Sequence, residues 1–248
     1  MTLISLKTSQ TIDRLFAEGS YPKPFAFTAA VAEVFDDMVK RSIPFYEEVA
    51  RMVLTFCEIY CPADSQIFDV GCSTGSLLRL LSEHLNLPLH LIGIDNSEAM
   101  LAKAKAKMSG LGAKDSVLLL CENALQCEYT DAAMIICNYT LQFISVRERK
   151  KLLLRFYTGL KKGGMLFLSE KVRAADPEIQ EATTAIYEAY KRSRGYSQTE
   201  IARKKESLEN VLVPVTLDEQ IAWLKDCGFQ SIEVVFKWHC FVSIVAVK

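Results

Sequence analysis

The chain has 248 residues, 50% of them hydrophobic, with 29 Lys plus Arg against 30 Asp plus Glu and a formal net charge of −1. This length and apolar content suit one large α/β domain or a domain with an extension. The near-neutral balance weighs against the broad basic footprint of a direct nucleic-acid binder. No run is apolar for long enough to cross a membrane, and the start, MTLISLKTSQ, lacks the features of a signal peptide. The eight cysteines form no C-x-x-C pair and no metal-ligand pattern with the three histidines. Their spread is that of free thiols in a reducing, cytoplasmic setting.

Residues 1 to about 25 end in Tyr21-Pro22-Lys23-Pro24-Phe25 and read as a loosely held arm. Over 28–40, Val31, Val34, Phe35 and Met38 recur at i, i+3, i+4, i+7, the mark of an amphipathic helix. A second helix starts at Pro44 and carries Val49, Met52, Val53 and Phe56. Residues 1–60 are thus expected to be an arm and helical cap, and 61–248 an α/β domain.

That domain opens with QIFDVGCSTGSLLRLL, Gln66 to Leu81: an apolar strand, a small-residue turn, then leucines at helical spacing. The two glycines of the turn, Gly71 and Gly75, are expected to let a ligand approach the backbone. Strands follow at His90–Ile94, Ser116–Cys121, Ala133–Cys137 and Met165–Ser169, with a helix from Glu98 capped by Ser97 and stopped at Gly110, and another over Arg147–Leu160. That last helix ends at Lys161-Lys162-Gly163-Gly164, ahead of the strand. Three helical stretches near 177–193, 199–210 and 217–226 precede strands Ile232–Lys237 and Phe241–Val247. Only Trp238-His239-Cys240 separates the last two, so they form a hairpin and the final strand runs antiparallel.

In an open parallel sheet ligands sit beyond the carboxyl ends of the strands. The first end gives Gly71, Cys72 and Ser73. A dinucleotide loop would need glycines where Ser73 and Ser76 stand, so that fingerprint fails. S-adenosylmethionine (SAM) carries no phosphate; an acid before a small-residue loop, Asp69 through Gly75, suits it. Alone, such a loop can equally be a turn with no ligand. The second end gives Asp95, 24 residues after Gly71, and Asn96. One carboxylate can accept from both hydroxyls of a ribose. The third gives Glu122, Asn123 and Ala124, where an amide suits adenine; the fourth gives Asn138, placed for the amino-acid part of the cofactor. No nucleophile–base dyad stands out, as expected where the cofactor carries the reactivity.

Six segments carry a more specific likeness: VAEVFDDMVKRSIPFY (31–46), DVGCSTG (69–75), IDNSEAM (94–100), NYTLQF (138–143), LKKGGMLFLSEK (160–171) and GYSQTEIARKKESLENV (195–211). In these the chain resembles the carboxy-S-adenosyl-L-methionine synthases, in the class I SAM-dependent methyltransferase superfamily. The resemblance implies a Rossmann-like α/β fold with a seven-stranded, mostly parallel sheet, an antiparallel C-terminal hairpin, a helical N-terminal cap and a helical insertion at about 175–215. It implies conversion of SAM and prephenate to carboxy-SAM and phenylpyruvate, in a cytoplasmic homodimer whose product a second enzyme uses on the wobble uridine of tRNA. Carried over by motif, the contacts to SAM or carboxy-SAM are Tyr46, Gly71, Cys72, Ser73, Asp95, Asn96, Asn123, Ala124, Asn138 and Lys205. The family has an arginine at position 205, reaching the new carboxylate from the partner subunit, and commonly an aspartate at 123. Lysine offers a point charge in place of a planar two-point grip, which leaves an ordinary small-molecule methyltransferase as the alternative. A donor with two carboxylates calls for further cations, and Lys171 and Arg192 are the candidates.

Overall fold

The computed structural model describes residues 11–17, 24–109 and 116–248. The expected stop at Gly110, the first ten residues and Tyr21 to Lys23 lie outside them. Seven strands form one sheet: β1 (Ser65–Val70), β2 (Leu89–Asp95), β3 (Ser116–Cys121), β4 (Ala132–Asn138), β5 (Leu160–Lys171), β6 (Ser231–Trp238) and β7 (Phe241–Val247). Their spatial order is β3-β2-β1-β4-β5-β7-β6. The first five run parallel, and β7 lies antiparallel between β5 and β6. The expected hairpin is therefore present, with His239 in the left-handed region at φ 54° to make the tight return.

Period-two alternation splits the apolar residues between two cores. On β4, Met134 and Ile136 point to one face and Ile135 and Cys137 to the other. The first face is covered by α2 (Tyr46–Tyr60), through Val49, Val53 and Cys57, and by α3 (Ser76–His84), through Leu77, Leu78 and Leu81. The second is covered by Leu152, Leu153 and Phe156 of α5 (Val146–Gly159) and Leu224 of α8 (Leu217–Asp226). Each such side chain contributes about 1.5–3 kcal/mol by leaving water. Residues of α2 and β1 pack into the same core. Further out, Val31, Val34 and Met38 of α1 (Ala29–Ser42) meet Met100 of α4 (Glu98–Met108), whose start is capped as expected, Met100 N–H donating to Ser97 Oγ at 3.3 Å. Two helices, α6 (Pro177–Ser193) and α7 (Gln198–Ser207), form the insertion after β5.

Two local expectations give way. Lys161–Gly164 does not lie between helix and strand but within β5, which begins at Leu160 and slips register between its pairings Ala132–Leu160 and Met134–Met165. The chain end holds the slipped stretch in the sheet, Gly163 N–H donating to Lys248 O at 2.9 Å and Lys248 N–H to Gly164 O at 3.0 Å. The described part of the arm is not loose. Asp13 is 1% and Phe16 2% exposed. Tyr196 Oη donates to Asp13 Oδ2 at 2.6 Å, and Arg41 Nη1 donates to Asp13 O at 3.0 Å. Arg203 Nη1 donates to Phe16 O and Ala17 O, which ties the arm to α7. These partners lie far along the chain, so nothing local announced them.

Candidate functional site

Strand order reverses about β1, with β2 and β3 on one side and β4 and β5 on the other. Such a switch point opens a crevice at the carboxyl ends. A cavity of about 960 Å³ lies there, closed over by α1 on one side and by α6 and α7 on another. All ten residues assigned from the sequence line it: Tyr46, Gly71, Cys72, Ser73, Asp95, Asn96, Asn123, Ala124, Asn138 and Lys205. Arg192 does not; it is exposed and donates to Gln198 Oε1 at 2.9 Å.

The loop after β1 is bent by three left-handed residues, Gly71 (φ 76°), Ser73 (φ 50°) and Gly75 (φ 74°). The glycines make room for protein rather than for a ligand. A Cβ on Gly71 would lie 2.1 Å from Thr140 Oγ1, and one on Gly75 would lie 2.9 Å from Ala104 Cβ on α4. Asp95 then locks the loop. Its Oδ2 accepts from Ser73 N–H and its Oδ1 from Ser97 N–H, both at 2.9 Å. One carboxylate thus joins the loop to the head of α4 and keeps lone pairs on both oxygens for a diol. Burial raises the Asp95 carboxyl, and the two N–H donors oppose that rise. Beneath it lies Asp69, 3% exposed, pushed up to about 7 by burial and then by the Asp95 charge.

At the other strand ends the donors and acceptors are partly spent. Asn123 Oδ1 accepts from Leu125 N–H at 2.9 Å and keeps one lone pair, while its NH2 is left to meet a ring nitrogen of a base. Ala124 O accepts from Tyr129 Oη at 2.9 Å. Asn138 Oδ1 is different: it is buried and has no hydrogen-bond partner, as is the Tyr139 hydroxyl beside it. A buried acceptor without a donor is costly. The ammonium of an amino-acid ligand would satisfy it. Tyr139 itself sits at φ 55° and packs against Tyr46, ring centroids 6.4 Å apart. Burial raises the Tyr46 hydroxyl.

The lid over the loop is fastened by groups the sequence did not single out. Asp36 of α1 accepts from Thr74 Oγ1 at 2.6 Å and Ser76 Oγ at 3.0 Å through Oδ1, while Lys107 of α4 donates to its Oδ2 at 2.5 Å. Burial alone would raise the Asp36 carboxyl, but Lys107 and the hydroxyls outweigh it and hold it below its usual value. The wall opposite is α6, where Gln180, Thr184, Tyr187, Glu188 and Lys191 face the cavity. Their i, i+4, i+7, i+8, i+11 spacing was a visible signal: a polar stripe on one helix face. Lys205 approaches Glu188 Oε1 at 3.4 Å and is 64% exposed on its side chain. Among the described residues no cluster could hold a metal ion.

The comparisons with known proteins agree with this geometry. A family model for the methyltransferase domain matches residues 67–164, from β1 into β5. A carboxy-S-adenosyl-L-methionine synthase of Trichodesmium erythraeum is 48% identical over 243 residues, covering 98% of this chain and 96% of its own. The chain belongs to the carboxy-S-adenosyl-L-methionine synthase family. A second synthase of that name, from Helicobacter hepaticus, is 41% identical and covers 95% of this chain and 99% of its own. Solved structures share the fold at low identity. The magnesium protoporphyrin IX methyltransferase of Synechocystis superposes with a TM-score of 0.60 at 14% identity, covering 85% of this chain and 87% of that one. Human N-acetylserotonin methyltransferase gives 0.57 at 15%, covering 89% and 55%. The fold is therefore the class I methyltransferase fold, and the chain is a SAM-dependent transferase that binds SAM.

Proposed function

We propose that this enzyme carboxylates the methyl carbon of SAM, with prephenate as the carboxyl donor and phenylpyruvate as the second product. Bound SAM supplies a methyl group whose C–H bonds are acidified by the adjacent sulfonium. The balance is one CO2 and one hydroxyl group from prephenate and one proton from the methyl. The CO2 joins carbon, and hydroxyl and proton leave as water. In this reading Asp95 accepts from the ribose diol, Asn123 donates to the base, and Asn138 accepts from the ammonium of the methionine part. Tyr46 and Tyr139 pack beside that part. The cover of α1, fastened through Asp36 and Lys107, keeps water and released CO2 apart from bulk solvent. Lys205 pairs with the new carboxylate of carboxy-SAM.

What carries the reading is the full-length likeness to synthases named for carboxy-SAM, 48% identical over 98% of this chain. Lys205, a cation lining the same cavity, gains nothing from a methyl group on a positive sulfonium but suits one that has gained a carboxylate. Relatives of near-identical length named for that product support it. The net charge of −1 fits a protein that makes its product for a separate tRNA-modifying enzyme and does not itself grip RNA. We further propose a homodimer. Incubating the pure protein with SAM and prephenate is expected to give SAM heavier by one CO2, together with an equal amount of phenylpyruvate by mass spectrometry. Recovery of unchanged SAM alone would sink the reading.

A second reading, a small-molecule methyltransferase, is favoured by one observation: Lys205 already has Glu188 nearby at 3.4 Å, which competes with a carboxylate ligand. It predicts that only SAM or its demethylated product accompanies the purified protein. Lys205→Arg separates the two. Tighter retention of carboxy-SAM belongs to the first reading, and no change in what is retained belongs to the second.

A further inference from the structure

The wall of the cavity formed by the end of β5 and by α6 holds two lysines whose charges are unbalanced. Lys171 is the last residue of β5, and Lys191 lies on α6 with 8% exposure; both line the cavity. Among the described residues neither ammonium has a hydrogen bond or an ion pair. Each instead sits on the Tyr187 ring, 4.5 Å from its centroid. That ring is held in place: its hydroxyl donates to Ser42 O at 2.9 Å, and its edge meets Phe241 with centroids 5.2 Å apart. A ring contact offsets part of the cost of a buried cation but does not neutralise it.

The surroundings add more positive charge than negative. Lys204 of α7 is 9% exposed and donates to Ser42 Oγ at 3.0 Å. The carboxylate acting on both lysines is Glu188, which leans toward Lys205. Tyr190 and the Cys240 thiol are the other titratable neighbours. Burial, and then Lys171 and Lys204, push the Lys191 ammonium down to about 7; Lys171 is lowered too, mainly by burial. Glu188 is the carboxylate that faces Lys171 and Lys191, and Asp13 the one that acts on Lys204, so four lysines meet two carboxylates and positive charge is left for an anion to complete.

We propose that Lys171 and Lys191, each in contact with the Tyr187 ring, form an anion subsite that takes a carboxylate of a small dicarboxylate co-substrate next to bound SAM. The identity of that co-substrate rests on the carboxyl-donor reading; the subsite itself does not. Lys205 is left to the carboxylate formed on the cofactor, so the two anions of the reaction are held by different cations.

Calorimetry on the full chain, saturated with S-adenosylhomocysteine, tests this with prephenate, malonate and inorganic phosphate as separate titrants. Wild-type protein is expected to bind prephenate and malonate. Lys171→Met and Lys191→Met, which keep the length of the side chain, are expected to weaken both by about thirtyfold. Lys191→Arg should keep most of the affinity, and SAM binding should stay within about twofold in all three. Unchanged dicarboxylate affinity in the Met variants, no dicarboxylate binding to wild type, or phosphate bound as tightly as malonate would each overturn the subsite. A readout without variants uses wild-type protein carrying labelled lysine Cε: malonate is expected to raise the titration midpoints of two lysine signals, and constancy of all of them overturns the proposal. The two readings fail separately. Lysine-dependent malonate binding without carboxy-SAM formation removes the donor reading alone. Carboxy-SAM formation at unchanged KM for prephenate in both Met variants removes the subsite alone.

Discussion

Asp95 carries two jobs on one carboxylate, and the two predict a large loss when it is removed. It accepts from Ser73 and Ser97, which shapes the loop, and in the proposed reading it also accepts from the ribose diol. Hydrogen bonds to a charged group contribute about 1.5–3 kcal/mol each. Asp95→Ala is therefore expected to weaken SAM by about a hundredfold or more, read by calorimetry; an unchanged Kd would remove the ribose assignment. Asp69 makes a pH prediction. Its carboxyl, normally near 3.8, is raised to about 7 by burial and by Asp95. The folded state holds that proton more tightly than the unfolded chain. Its stabilising contribution is complete below about pH 4 and is lost as pH rises through about 7. Asp69→Asn should flatten this part of the stability–pH curve, measured by denaturant unfolding between those limits. Residues such as Asp95 were legible because they occur in ordered positions after apolar runs. Lys191 was not, because burial, and not identity, is what makes a lysine unusual.

At the scale of elements, the loop between β1 and α3 shows how a glycine can be read rightly for position and wrongly for reason. Gly75 needs φ 74° and the space that Ala104 would otherwise contest. Gly75→Ala is expected to cost about 2 kcal/mol, from left-handed strain and the displaced helix, and to appear as a lowered denaturant midpoint. The same substitution should leave the affinity of the folded fraction for SAM nearly unchanged, since the missing Cβ faces α4. The β5 segment teaches a similar lesson. Lys161 to Gly164 has turn-like composition, yet pairing with Lys248 draws it into the sheet. Other elements, by contrast, lie where their local residue pattern puts them, as at β3 over Ser116–Cys121, because their ordering forces repeat along the chain itself.

For the whole molecule, the cap, the sheet and the insertion meet at one cavity, so occupancy should be felt globally. SAM at about a hundredfold over its Kd is expected to add about 2.7 kcal/mol of stability. A thermal scan should therefore show a clear rise in Tm with SAM and none with NAD; the reverse pattern would overturn the cofactor assignment. The sequence by itself determined the strand–helix alternation, the closing hairpin, the acid and amides at the strand ends, and the family. Those are properties of neighbours in the chain or of patterns within short windows. Only the tertiary structure decided that Asp36 fastens to Lys107 and Thr74, that Asp13 is sealed under Tyr196, and that Lys171 and Lys191 share one aromatic ring. Such pairings depend on how distant segments close on each other, and no spacing along the chain encodes which buried charge is left without its opposite.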